Sequence, residues 1–262
     1  DVYADARLPR DHALMCRASL ARLPPDAVVL AGPSAAVAHG VPAAASVSDP
    51  VHLILAAGRR VSDQVGTRLH RVRLDPAEVC RVPLAGGGSS VAVTVPSRTA
   101  WDAAVWLALP DAVAVVDALL FQGLVTPASL RAVAARLADR PGGRRARHTL
   151  ALADGNARSP AESLLRVRLF LAGLPMALAR PPVFAARPPL AWPDFRVALW
   201  CGGPEPAAET LMVDEGWLTL RMSPRREFAD VVREVRAALL GRGWRRTRKQ
   251  DVKESALTPN IR

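Results

Sequence analysis

The sequence predicts an α+β protein, with a mixed small-sheet and helical first domain followed by an α/β layer. Three observations predict it. Short apolar runs bounded by Gly and Pro fill much of the first hundred residues. Residues 98–154 carry apolar side chains at helical spacing between their own start and stop signals. After Ser159, helix signals alternate with strand signals.

Taken in order, residues 11–23 read as a helix ended by Pro24-Pro25. Val28-Val29-Leu30 reads as a strand, and Gly32-Pro33-Ser34 opens a short helix that closes at Gly40. Val51–Leu55, Thr67–Leu74 and Val91–Val95 are further strands, the last preceded by the loop Gly86-Gly87-Gly88-Ser89-Ser90. That loop has no Gly-Lys-Ser/Thr ending and precedes a strand instead of following one, so it reads as a turn and not as a phosphate cradle. Pro110-Asp111 starts a helix with Ala112, Val115, Val116, Leu119 and Leu120 on one stripe, stopped by Gly123. Thr126-Pro127 caps the next, with Leu130, Val133 and Leu137 inward and Arg131 and Arg136 outward. Pro141-Gly142-Gly143 then turns the chain into a helix opened by Arg144, Arg145, Arg147 and His148. Trp101 and Trp106 are expected in the core.

A second domain opens at Ser159-Pro160-Ala161-Glu162, where Ser at the N-cap, Pro at the first helical position and Glu at the third make a capping box. Pro182–Ala185 leads into a hairpin of Leu190–Trp192 and Phe195–Trp200 around a Pro193-Asp194 turn. Trp217–Arg221 is the next strand. Ser223-Pro224 starts a last helix, with Phe228, Val231, Val232, Val235 and Leu239 on its apolar side. The expected organisation is 1–157, 158–245 and a flexible basic tail at 246–262.

Half of the 262 residues are hydrophobic and 23% are charged, which excludes disorder over most of the chain. No apolar run approaches the roughly 20 residues that span a bilayer, since Asp102, Asp111 and Asp117 interrupt the helical stretches. Without a basic-then-apolar leader in the sequence, a cytoplasmic protein with no membrane association is expected. Cys16, Cys80 and Cys201 have no paired spacing, and the five histidines show no helical i, i+4 pair, so no metal site is expected.

Charge is the first functional signal. The net charge is +11, and 221–249 alone carries ten basic and three acidic residues. A localised basic stripe favours polyanions; a solvated helix face with a loose tail is the other reading. On the first, Arg225, Arg226, Arg233, Arg236, Arg245, Arg246, Arg248 and Lys249 contact DNA phosphates, joined by Arg144, Arg145 and Arg147. Trp192, Trp200 and Trp217 are read as core residues before base-stacking platforms.

The run from Ala151 through Ser159-Pro160-Ala161-Glu162 to Arg166, then Ala172–Pro175, Leu190–Pro193, Arg196–Leu199 and Gly216-Trp217, resembles a large group of actinobacterial proteins. Their C-terminal domain is similar to very-short-patch-repair endonucleases, with a restriction-endonuclease-like fold. Upstream, Leu23–Val28, Ser34–Ala36, Pro96–Ala100 and Gly123–Thr126 resemble AbiEi-type antitoxins of type IV toxin–antitoxin systems. The resemblance also implies a winged helix-turn-helix ending just before a segment like Val2-Tyr3-Ala4, where this chain begins.

The resemblance further implies a Mg²⁺ site built from an acidic residue on the first helix, an Asp entering the hairpin and an acidic pair ending its second strand. Glu162 matches the helix position. The hairpin Asp is Pro189 here, and the strand end reads Trp200-Cys201-Gly202-Gly203. The connection at Pro204–Glu215 is shortened and has neither His nor Arg. Glu162 and Asp194 are therefore the vestigial catalytic candidates, with Glu162 also explained as the partner of the Ser159 cap. Three functions follow: a non-catalytic DNA-associated or antitoxin-like regulator without cofactor, a Mg²⁺-dependent endonuclease with relocated carboxylates, or a protein-only module that binds a cognate toxin or another protein.

Overall fold

A computed structural model describes residues 7–24, 26–62, 64–84, 90–183, 186–201, 206–223 and 225–245. The Val2–Ala4 segment, the glycine loop at 86–89, Gly202-Gly203 and the tail beyond Arg245 lie outside the described residues. The fold is α+β. The chain divides into two compact units between Gly155 and Asn156.

In the first unit, Asp11 caps α1 (His12–Leu20) by accepting the Leu14 N–H at 2.8 Å. Strand β1 (Val28–Leu30) and α2 (Gly32–Ala38) follow, then β2 (Val51–Leu55) and β3 (Thr67–His70). β4 (Val79–Pro83) and β5 (Ser90–Thr94) complete a five-stranded mixed sheet in the order β3-β2-β1-β5-β4. The expected strand over 67–74 stops at His70, which pairs with Ile54, the last β2 residue in register with β3. β4 escapes the sequence reading. It is an edge strand whose terminal Pro83 needs no ladder donor.

Beside the sheet lie α3 (Pro96–Trp106), α4 (Leu109–Phe121), α5 (Pro127–Arg136) and α6 (Gly143–Ala151). α3 packs against α2, α4, α5 and α6, which makes it the centre of the helical layer. Thr126 caps α5 with Ser129 reciprocating, and Leu130, Val133 and Leu137 turn inward as expected. The Gly142-Gly143 pair is forced. Gly142 has φ +83°, and a Cβ on Gly143 would meet the Ala138 carbonyl at 2.1 Å.

The second unit runs α7 (Pro160–Leu171), β6 (Leu178–Ala179), β7 (Leu190–Trp192), β8 (Val197–Cys201), α8 (Pro206–Asp214), β9 (Leu218–Met222) and α9 (Phe228–Gly241). Its sheet has the order β6-β7-β8-β9, antiparallel through β8 and parallel between β8 and β9. Side-chain alternation splits the strands between two cores. Leu190, Trp192, Val197, Leu199 and Leu220 pack with Leu165, Leu169, Val231, Val235 and Leu239, from α7 and α9. Ala191 and Ala198 pack with Met212 of α8, together with half-buried Trp200 and Trp217.

Two readings of the sequence are corrected. The connection after β8 contains a helix, α8, whose buried Met212 covers a sheet face. The last helix begins at Phe228 with Glu227 as its N-cap, four residues beyond Pro224, and Phe228 is 39% exposed instead of inward. Val231, Val235, Ala238 and Leu239 supply the buried stripe, recurring about one turn apart.

Candidate functional site

The residue singled out for metal chemistry, Glu162, sits in the first turn of α7. Ser159 Oγ accepts the Glu162 N–H at 3.3 Å, so the N-cap is as expected. The reciprocal arm is not. Glu162 Oε2 accepts the N–H of Arg158, one residue before the cap, at 3.0 Å. Its carboxylate is taken mainly by Arg180: Nη2 donates to Oε1 at 2.6 Å and Nε to Oε2 at 3.1 Å. This two-pronged geometry is the strong form of an arginine–carboxylate pair.

Strand pairing puts Arg180 there. β6 runs antiparallel to β7, and the Arg180 N–H donates to the Pro189 carbonyl at 3.1 Å. Arg180 therefore faces the residue that replaces the expected hairpin Asp. It holds φ +44°, a left-handed conformation costly for a side chain with a Cβ. The pair with Glu162 raises the guanidinium pKa further, against the cost of burial. Cys201, ending β8, lies within electrostatic reach of both charges. The Glu162 site is thus at the open end of the hairpin.

Asp194 is at the other end. It lies exposed in the 3-10 turn Pro193–Phe195 that joins β7 to β8. The five residues of β8 span about 16 Å at roughly 3.3 Å each, so the hairpin holds the two candidate carboxylates apart. Mg²⁺ needs several oxygens on one side of the ion. The described residues do not fit it, since both Glu162 oxygens are occupied by N–H donors. Among the described residues, no three His, Cys, Asp or Glu side chains are placed to hold a metal ion.

The basic residues divide between the units. In the first, Arg144, Arg145 and Arg147 are exposed on α6, and Arg145 donates to the Leu107 carbonyl at the end of α3. In the second, Arg225 is exposed, Arg226 pairs with Glu234, and Arg233 pairs with Asp230. Arg236 is turned inward: it donates at 2.6 Å to the carbonyl of Ala172, the C-cap of α7, where a cation meets the negative end of the helix. Arg236 is therefore half-buried and engaged with a helix end, not a free surface contact. Arg245 donates to the Trp244 carbonyl at 3.1 Å. Arg246, Arg248 and Lys249 lie outside the described residues. Counting charges along the stripe overstates the free positive field, because Glu234 and Asp230 neutralise two of its arginines.

Three polar clusters in the first unit escape the sequence reading. Arg98, 2% exposed, donates to Glu78 Oε2 and to Asp102 Oδ1, both at 2.8 Å, while Arg136 reaches Glu78 Oε1 at 2.7 Å. Burial pushes Glu78 up, but the Asp75 N–H, Arg136 and Arg98 together hold it below the usual carboxylate range. Asp102, whose Oδ2 is buried without a hydrogen bond, is pushed up by burial to about 7.

The second cluster joins His12 Nε2 to Ser34 Oγ at 2.9 Å and His12 Nδ1 to the Ser46 carbonyl at 2.9 Å. A carbonyl only accepts, so Nδ1 carries the proton and Nε2 accepts from Ser34. That is nucleophile-and-base spacing. Ser34 is nevertheless fully buried and already accepts the His52 N–H at 2.8 Å, which leaves no approach for an electrophile.

The third cluster is a ring stack. His70 lies 3.4 Å from Trp106 between ring centroids and donates or accepts at 3.1 Å with His52. Burial lowers His52 to about 3 and His70 to about 4. No linear spacing marks this pair. It arises from β2–β3 register, which sets His52 opposite Arg68, two residues before His70.

Comparison with known protein families, with curated proteins and with solved structures finds no match to this chain. No described helix is long and apolar enough to cross a membrane.

Proposed function

We propose that the chain is a nucleic-acid-associated, antitoxin-like regulator whose second unit is a nuclease-like scaffold without metal-dependent cleavage. The Glu162–Arg180 pair carries this reading. At the place where the sequence resemblance calls for a dication, a guanidinium supplies the positive charge and fills both carboxylate oxygens. In the sequence, Pro189, Trp200 and Gly202 stand where the resemblance calls for the other carboxylates. A lone carboxylate already engaged by arginine does not compete with the hydration shell of Mg²⁺.

The order helix, antiparallel hairpin, helix, parallel strand, helix supports the resemblance on which this rests. Association is then electrostatic and indifferent to sequence, through Arg225, Arg245 and the basic residues Arg246, Arg248 and Lys249. If about four phosphates are neutralised, affinity for duplex DNA falls roughly a hundredfold between 50 and 200 mM salt.

The test pairs two assays on the full chain. Supercoiled plasmid stays intact with Mg²⁺ or Mn²⁺, and a fluorescent duplex binds with the stated salt dependence. Metal-dependent nicking that disappears in Glu162→Gln would establish an endonuclease instead. Absence of duplex binding at 50 mM salt would end the nucleic-acid reading.

A further inference from the structure

We propose that the groove between α4, α5 and α6 is a docking site for an acidic amphipathic helix of a partner protein. The groove encloses about 570 Å³, within the size range of small binding sites. Leu120, Leu130, Ala134 and Leu150 line it, and Arg131 on α5 and Arg147 on α6 are its charged members. No acidic residue lines it. Arg131 and Arg147 have no carboxylate partner among the described residues, in contrast to Arg226 and Arg233 of the second unit.

The chemistry of the occupant follows from that lining. An apolar floor calls for an apolar stripe, and two unpaired guanidiniums call for carboxylates flanking it. Small alanine side chains let a helix backbone come close. α5 has ten residues and α6 nine, about 14 Å each, so they accommodate roughly three turns of a partner helix. The recognition mode is an amphipathic helix laid into a groove, with anchors about one turn apart.

The same arginines could meet phosphate, and the floor decides between the two. A nucleic-acid backbone gains from arginines but leaves the leucine and alanine surface uncovered, whereas a helix buries it at roughly 25 cal/mol per Å². Arg144, one turn before Arg147 on α6, adds to the positive margin.

The experiment uses the full chain and three fluorescent probes. One is a helical peptide with Leu at i, i+3, i+4 and i+7 and Glu on the flanks. The second carries Lys at the Glu positions, and the third is duplex DNA. The acidic peptide should bind at least tenfold more tightly than its basic twin. Arg131→Glu with Arg147→Glu should reverse that preference, and binding of the basic peptide then proves that the variant is folded. Ala135→Trp, which fills the groove from an exposed position, should weaken the acidic peptide about tenfold while leaving the melting curve in place. Equal binding of both peptides, or no binding of the acidic one, overturns the proposal. Loss of DNA binding in the double variant without a change in peptide preference would assign the surface to nucleic acid.

Discussion

In the first unit Arg98 lies sealed between Glu78 and Asp102, with carboxylates from two elements converging on it. In the second, Arg180 keeps 23% of its side chain exposed and answers a single carboxylate at the end of a sheet. Both are arginine–carboxylate contacts of similar length, yet they do different work. The Arg98 cluster joins the 3-10 turn before β4 to α3 and, through Arg136, to α5, so it is part of the architecture. The Arg180 pair closes a carboxylate that stands where chemistry is expected. Burying a charge costs several kcal/mol and is tolerated only when the partners are complete. The difference teaches that burial and number of partners separate these two ion pairs better than distance does.

The largest effect separating the two should come from removing each arginine in turn. Arg98→Met leaves buried Asp102 without its cation and Glu78 with Arg136 and the Asp75 N–H, and stability in urea denaturation should fall by about 3–5 kcal/mol. Arg180→Met leaves Glu162 with the Arg158 N–H and should cost about 2 kcal/mol, the scale of a charged hydrogen bond. Equal losses would mean that Arg180 is as architectural as Arg98, and the contrast would collapse.

A smaller effect sharpens the comparison through pH. All five histidines belong to the first unit. His52 and His70 are depressed to about 3 and 4, so the unfolded chain takes up protons that the folded one refuses. Their contribution is present above pH 6.5 and is lost as pH falls toward 4. Asp102 runs the other way: raised to about 7, it stabilises the fold at low pH and loses that contribution as pH rises through 7. Hydrogen-exchange protection factors, corrected for intrinsic rate, should therefore change between pH 6.5 and 5 in β2 and β3 and remain steady in the second unit. His52→Gln with His70→Gln should flatten the response, and Asp102→Asn should steepen it. Identical pH responses in both units would show that the histidine pair is not responsible.

Much of the chain was legible beforehand, and the failures share a cause. Thr126 and Ser159 announced their helices because capping is a contact within one turn. β4, β6 and α8 were missed because their signals are short and their stability comes from neighbours distant in sequence: β5, β7 and the far face of the second sheet. Glu162 was found as a residue but given the wrong partner. Its true partner, Arg180, is eighteen positions away and meets it only once β6 has paired with β7. Arg236 looked like surface charge because helical periodicity cannot reveal that a long side chain reaches the end of another helix.

By itself the sequence determined the α+β class, most helix boundaries and the absence of an acidic residue at Pro189 and at Trp200–Gly203, since these depend on residue identity and on contacts a few positions apart. Tertiary structure alone decided which charges are spent and which are free. Arg98, Arg180 and Arg236 are consumed by carboxylates or a carbonyl brought in from other elements, while Arg131 and Arg147, beside an apolar groove, have no carboxylate partner among the described residues. The physical reason is that Coulomb energy depends on separation and burial in space, and neither is a function of position along the chain.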